Sequence, residues 1–343
     1  MNVTVRRGAR RSGGWLCMLA LALPLFLLGA SLYGPAPISL HDAWRILSAP
    51  GVNADDGSEI YQRIIWSLRL PRALLAAVAG AGLALAGTVL QSLTRNPLAD
   101  PWVLGISSGA GVGAVLVLVL GLGGGLLSVS GGAFIGAAGA FALVLLLAGR
   151  SLNAESSLFI LAGVAVTQLL SALTSLITLW QADANATRGV MFWLLGSFSD
   201  ARWPQVGLCA LLLAAALAIC WMKAGELDAL AFGGLTAASL GVAVAPLKLL
   251  LYGITMALTA VIVAFSGAVG FIGLTVPHVA RLLVGPRHRL LLPASALCGA
   301  LFAVAADTLA RTLFEPRELP VGVLTALLGV PVFLALLYRK INA

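Results

Sequence analysis

Arg69 and Arg72 flank Leu70-Pro71 at the head of a long apolar run, and Asp307 and Arg311 stand four residues apart inside another. A guanidinium is a planar fork of donors that suits a carboxylate. Arginines at the head of such a run can snorkel toward lipid phosphates. A spacing of four places Asp307 and Arg311 on one helical face, where pairing lowers the cost of an acid among apolar residues. A second group is uncharged. Gln168, Ser171, Thr174, Ser175 and Thr178 recur at spacings of three and four, which makes one polar stripe along a helix. The stripe either lines a path for a solute or hydrogen-bonds to neighbouring helices. A third feature is the break at Asn96-Pro97, where proline ends a helix and the asparagine can bond the freed backbone.

Hydrolytic and metal chemistry is poorly provided for. Nothing matches G-x-x-x-x-G-K-[ST], so this chain lacks the usual loop for cradling ATP phosphates. His278 follows Pro277 and invites comparison with a haem or iron ligand, but a structural role is the expectation; His41 and His288 sit at or near aqueous boundaries. These residues do not supply the serine–histidine or paired-aspartate constellation of an intramembrane hydrolase. Cys17, Cys209, Cys220 and Cys298 form no paired motif and read as small apolar residues. The acidic run Asn53-Ala54-Asp55-Asp56-Gly57 lacks the spacing of a calcium loop and reads as a solvated turn. No metal and no cofactor are expected in this chain.

The elements that must carry these residues are membrane spans. The chain is 60% hydrophobic and 10% charged, with mean hydropathy +1.02, whereas a soluble domain holds about 25% charged residues. A span takes about 20 apolar residues to cross about 30 Å of hydrocarbon, and it must be helical to satisfy its own backbone. Spans are expected near 15–33, 73–92, 102–121, 127–148, 157–180, 205–222, 245–265, 268–284, 290–312 and 321–338. The fold expected is therefore an all-α polytopic membrane protein of about ten transmembrane helices, one domain over residues 1–343. The first span has the basic start and apolar core of a secretory signal, but the further spans favour an uncleaved helix. Gly80, Gly82, Gly87, Gly105, Gly109, Gly111 and Gly113 suit helix faces that pack closely. Spans two to five and seven to ten can be related as an inverted repeat.

Charge gives the orientation. Arg6, Arg7, Arg10 and Arg11 favour a cytoplasmic N-terminus, and an even number of spans puts Arg339 and Lys340 inside as well. The inner segments then hold a basic excess while the outer ones are balanced. That asymmetry accounts for the net charge of +8 without invoking nucleic acid. Trp15, Trp102 and Trp221 fall at inner ends, and Trp44, Trp66, Trp180, Trp193 and Trp203 at or near outer ends, as an aromatic belt would. Outside the spans, Ser39-Leu40-His41-Asp42 resembles a capping box before a short interfacial helix bearing Leu40, Ala43, Trp44 and Leu47. The longest inner connection is residues 223–241, read as two short helical pieces broken at Gly233-Gly234.

Three stretches then occur in a recognisable order: RLPRALLAAVAGAGLALAGTVLQSLTRNPLADPWVLGISSGAG from Arg69, GAVGFIGLTVPHVARLL from Gly267, and ADTLARTLFEPRELPVGVLTALLGVPVF from Ala306. From about Tyr61 onward the chain resembles the permease subunits of binding-protein-dependent ABC importers for iron-siderophore, haem and cobalamin, the FecCD-type permeases. The resemblance implies a transport subunit, not an enzyme, with ATP and magnesium held by a partner. It implies a second permease copy or similar paralogue, two ABC ATPase subunits and a periplasmic substrate-binding protein, in the bacterial cytoplasmic (inner) membrane. By the same resemblance Arg69, Arg72 and Arg311 receive acids of the binding protein. Leu230, Phe232, Gly233, Ser239, Leu240 and Gly241 match the coupling segment that meets the ATPase, with Gly234 and Ala238 replacing charged residues often found there. Asn96, Leu98, Ser156 and Ser157 match positions near a cytoplasmic gate, and Gln168 and Ser171 fall on the helix that frames the pathway. The Pro277-His278 pair recurs in the family whatever the substrate. Ferric siderophore or a similar metal chelate is the substrate expected first, with cobalamin or haem as alternatives. The rival of another class, an ion-coupled secondary transporter, would want titratable groups at mid-depth, and Asp307 is nearly the only acid there.

Overall fold

The computed structural model describes residues 2–34, 38–39, 41, 44–46, 58–122, 125, 127–148, 156–181, 183–315 and 317–341. A helix lies at each expected stretch, and no strand occurs among the described residues. In chain order the helices are α1 (Asn2–Leu32), α2 (Ser58–Arg63), α3 (Leu70–Thr94), α4 (Ile106–Leu120), α5 (Val129–Ala148), α6 (Ser156–Gln181) and α7 (Ala184–Leu195). They continue as α8 (Trp203–Met222), α9 (Ala224–Leu230), α10 (Gly234–Ser239), α11 (Val244–Ser266), α12 (Ile272–Val284), α13 (His288–Thr312) and α14 (Val321–Ile341).

Among the described residues, seven helical stretches are long and apolar enough to cross a bilayer: Ser12–Leu32, Glu59–Thr94, Val129–Ala148, Leu158–Trp180, Trp203–Met222, Val244–Ser266 and His288–Thr312. Ile106–Leu120, Ile272–Val284 and Val321–Ala335 are shorter. At 1.5 Å per residue a helix of 15 residues spans about 22 Å, less than the hydrocarbon thickness. The chain is thus a multi-pass membrane protein. Both α4 and α12 are entered through left-handed residues, Gly105 and Phe271, so irregular backbone takes up part of their length.

Helix α3 is the axis of the fold. Almost every side chain from Pro71 to Thr94 is buried, with α13, α11, α12 and α8 packed around it. Contact is close because glycines face one another. A Cβ on Gly80 would collide with the main-chain oxygen of Gly299, and one on Gly299 would collide with that of Gly80. The pair α4–α5 uses the same device twice: Gly109 meets Gly136 and Gly113 meets Gly132, a four-residue small-residue spacing on both helices.

Before α3 the chain forms a π-helical turn, Ile64–Arg69, in which Leu70 N–H bonds Ile65 C=O. Pro71 explains it. Its ring would crowd the carbonyl four residues back and it has no N–H to offer, so the helix widens there. The widening continues the rod outward from the expected start of the second span. Helix α7 was also not expected. It begins at Asp183, whose carboxylate accepts from Ala186 N–H at 2.7 Å.

The expected interfacial helix is described only at His41 and Trp44–Ile46, which are helical. Ile46 is buried against Ile65, and Trp44 is exposed. The acidic run at residues 53–57 lies outside the described residues, as do Asp42 and Arg150.

Candidate functional site

At one end of the bundle Arg69 and Arg311 converge on the C-terminal end of α1, and Arg72 and Arg311 converge on Asp307. Arg72 donates through Nε to Asp307 Oδ1 at 3.0 Å and through Nη1 to Glu318 Oε2 at 2.9 Å. Arg311 Nε lies 3.3 Å from Asp307 Oδ2, the pairing that their spacing of four foretells. Arg69 Nη1 donates to the carbonyls of Ser31 and Leu32 at 3.0 and 2.9 Å, and Arg311 donates to those of Ala30 and Tyr33 at 2.9 and 3.1 Å. A helix leaves its last carbonyls without internal partners, and cations satisfy them well. All three arginines are consequently buried, at 5%, 9% and 4% exposure. Glu318 is the open edge of the cluster, with its side chain 40% exposed.

The opposite end of the bundle is organised by the break after α3. Arg95 takes a left-handed conformation and ends the helix. Asn96 Oδ1 accepts from Leu98 N–H at 2.9 Å, the local turn that this side chain favours. His278 Nε2 lies 3.2 Å from the Pro97 carbonyl, a contact that ties α12 to the break. Leu98 is exposed beside it. Two residues on, Asp100 starts a short 3-10 turn, Pro101–Leu104, by accepting from Trp102 N–H at 2.9 Å. Burial pushes the Asp100 carboxyl up to about 6, against the opposing pull of the Trp102 and Leu274 main-chain N–H groups. Ser156 and Ser157 open α6, and their side chains lie outside the described residues.

The connection 223–241 forms the two short helices α9 and α10, separated at Gly233, whose φ of +108° only glycine tolerates readily. Phe232, Leu235 and Leu240 are exposed at 76%, 92% and 67%. Leu230 differs: it is buried with Leu227 and Ala224, so it seats α9 on the body and does not face outward. Ser239 caps its own turn by donating to Thr236 C=O. Gly241, with φ of +86°, turns the chain toward α11.

On α6 the stripe divides. Thr174, Ser175 and Thr178 donate to carbonyls four residues back. Ser171 Oγ reaches Ser108 Oγ on α4 at 3.1 Å, which satisfies the interhelical reading at that position. Gln168 is exposed, and so are Leu161, Leu169, Leu176 and Leu179, so most of this helix faces outward.

Several polar contacts at the same end as the break escape sequence reading. Gln91 donates to the carbonyls of Gly273 and Leu274 and accepts from Arg281 Nη1 at 2.8 Å, tying α3 to α12. His288 Nδ1 lies 2.6 Å from Asp228 Oδ1, and Ser92 Oγ is within hydrogen-bond reach of His288 Nε2. The partners are separated by 60 to 196 positions, too far for any local pattern to reveal. The polar residues themselves, standing in apolar runs, were the available signal.

Comparison with known proteins agrees with this architecture. The model of the FecCD transport family matches residues 20–339. The chain is 44% identical over 293 residues to the cobalamin import system permease protein BtuC of Halobacterium salinarum, covering 83% of this chain and 76% of that protein. It is 38% identical over 330 residues to the hemin transport system permease protein HmuU of Yersinia pestis, covering 95% of both. A solved ABC transporter assigned to the metal-chelate type, in an inward-facing conformation, superposes with a TM-score of 0.83 at 33% identity, covering 94% of this chain and 98% of that one. A match over nearly the whole chain, together with the break at Asn96, the paired helices α9 and α10 and the cluster of Arg69, Arg72 and Arg311, leaves one conclusion: the chain is a member of the FecCD transport family, an ABC importer permease.

Proposed function

We propose that this permease moves a ferric siderophore or similar metal chelate across the bacterial cytoplasmic membrane, working as two copies on two ABC ATPases fed by a periplasmic binding protein. The observation that carries the reading is the pair α9–α10, which presents Phe232, Leu235 and Leu240 to open space on the face that the arginine distribution makes cytoplasmic. An exposed apolar patch of this kind marks a protein contact. It serves as the surface on which the ATPase acts. The chain has no phosphate-binding loop of its own, so ATP and magnesium belong to that partner. In this reading the three shorter helices complete ten spans, and both termini are cytoplasmic.

The exposed face of α6 supports a second permease copy. Leucines at 161, 169, 176 and 179 face outward, with Gln168 and Ser171 among them. Paired α6 helices then frame the pathway, while Asn96 and Leu98, with Ser156 and Ser157, form its inner gate. Outside, the binding protein docks at the edge of the Arg69, Arg72 and Arg311 cluster, its acid taking the place of Glu318 on Arg72, while Arg69 and Arg311 are buried beneath on the carbonyls of α1. Cobalamin and haem are the second reading, favoured by the names of the Halobacterium and Yersinia relatives. ATP-dependent uptake into proteoliposomes holding the permease, its ATPase and its binding protein decides among them, with a ferric hydroxamate, cyanocobalamin and haem as probes. Uptake of the ferric chelate alone is the expected result; uptake of either other probe alone moves the substrate to that class. Movement of all probes without ATP removes the importer reading.

A further inference from the structure

The inner ends of α3 and α13 are joined to the α9–α10 connection by three side chains. Asp228, on α9, places Oδ1 3.0 Å from the main-chain N–H of His288, the first residue of α13, and 2.6 Å from the Nδ1 of its ring. A carboxylate there meets the positive end of a 25-residue helix and satisfies a donor that the helix cannot. The other ring nitrogen, Nε2, contacts Ser92 Oγ in the last turn of α3. The same hydroxyl is 2.9 Å from the Thr88 carbonyl, so it has two partners to choose between. His288 is 4% exposed, whereas the Asp228 side chain is 40% exposed, so the chain runs from the surface inward. Arg95, at the C-terminus of α3, also lies against the connection: a Cβ on Gly233 would sit 3.4 Å from its Nη1.

A serine–histidine–aspartate order invites comparison with a hydrolytic triad, but the surroundings do not fit one. Ser92 sits in the last turn of α3, where backbone N–H groups are committed to the helix and do not serve as paired donors to an oxyanion, and its hydroxyl lies between the Thr88 carbonyl and His288. Mechanical linkage fits better. Helix α13 is about 37 Å long at 1.5 Å per residue, with Asp228 at its inner end and Asp307 and Arg311 near its outer end. Helix α3 likewise runs from Arg72 outside to the Asn96-Pro97 break inside.

We propose that Asp228, His288 and Ser92 are positioning residues that transmit movement of the α9–α10 connection to α13 and to the gate end of α3. The proposal rests on the importer reading above. When the ATPase displaces α9, Asp228 carries the start of α13 with it, and His288 carries the end of α3. Without the imidazole the connection still binds the ATPase through Phe232 and Leu240, but its movement stops short of the gate.

The test uses the permease co-purified with its own ATPase. A nitroxide is placed by Leu98→Cys in a Cys17→Ser background, and pulsed EPR reads the distance between the two copies, nucleotide-free and with ATP plus vanadate. ATP turnover is measured on the same samples. In His288→Ala the ATPase is expected to stay bound and to hydrolyse ATP, while the ratio of shifted to unshifted molecules falls about tenfold, the scale on which coupling residues act. A merely structural role would not separate turnover from gate movement. Should His288→Ala fail to assemble, His288→Asn, which keeps a donor toward Asp228, and His288→Gln, which keeps a group toward Ser92, carry the test; each is expected to lose the shift. The full parental shift in His288→Ala or in both conservative variants overturns the proposal, and in His288→Asn alone it removes α3 from it. A parent without a bound ATPase or any nucleotide-driven shift overturns the importer reading itself.

Discussion

Asp307 is a buried acid between two buried guanidiniums, and its removal leaves Arg311 without a counter-charge and Arg72 with the part-exposed Glu318 alone. Breaking a buried ion pair from one side costs about 3–5 kcal/mol. Asp307→Ala is therefore expected to lower the unfolding temperature of the detergent-solubilised protein by far more than Glu318→Ala. The latter removes a pair whose acid is 40% exposed, and exposed pairs contribute about 0–1 kcal/mol. Equal effects would contradict the central place given to Asp307. Asp100 acts in the opposite sense. Its carboxyl is raised from 3.8 to about 6 by burial, so the folded state favours the protonated form. That contribution is fully present below pH 3.8 and is lost as pH rises through about 6. Asp100→Asn keeps the acceptor for Trp102 N–H and should flatten stability against pH across that window; an unchanged slope would assign the dependence to another group.

Among the helices, close approach is the organising device. Gly80→Val would force a side chain against the main chain of Gly299, and overpacking of this kind costs about 1–3 kcal/mol. Gly139→Val meets nothing within 4 Å and should stay within about 0.5 kcal/mol of the parent. Thermal unfolding of the two variants side by side checks this; equal losses would mean that α3 and α13 do not need their glycine contact. The sequence made these elements legible because a span is a long apolar run, and Pro71, Asn96-Pro97 and Gly233 punctuate it locally. The pairing of Asp307 with Arg311 was legible for the same reason, being four residues long. What stayed hidden is long-range. That Arg72 shares Asp307 with Arg311, or that Asp228 caps α13, depends on which helices meet, and apolar faces of similar composition do not encode that. Leu230 shows what a motif leaves open: within residues 223–241 its side chain turns inward while Phe232 and Leu240 turn outward.

At the scale of the whole molecule, a permease of the FecCD family is one piece of a larger assembly, since the family works with ATPase and binding-protein partners. Replacing Phe232 and Leu240 by serine should lower ATP-driven uptake by about tenfold or more, as loss of anchors at the centre of an interface does. The protein should remain in the membrane, since both side chains are exposed. Normal uptake would remove α9–α10 as the coupling element. The most direct measurement is the mass of the complex recovered when the tagged permease is gently solubilised from its own membrane. Two permease copies with two copies of a P-loop ATPase are the expected composition. A lone permease that carries out ion-driven uptake in liposomes would contradict the assignment of its energy source to ATP.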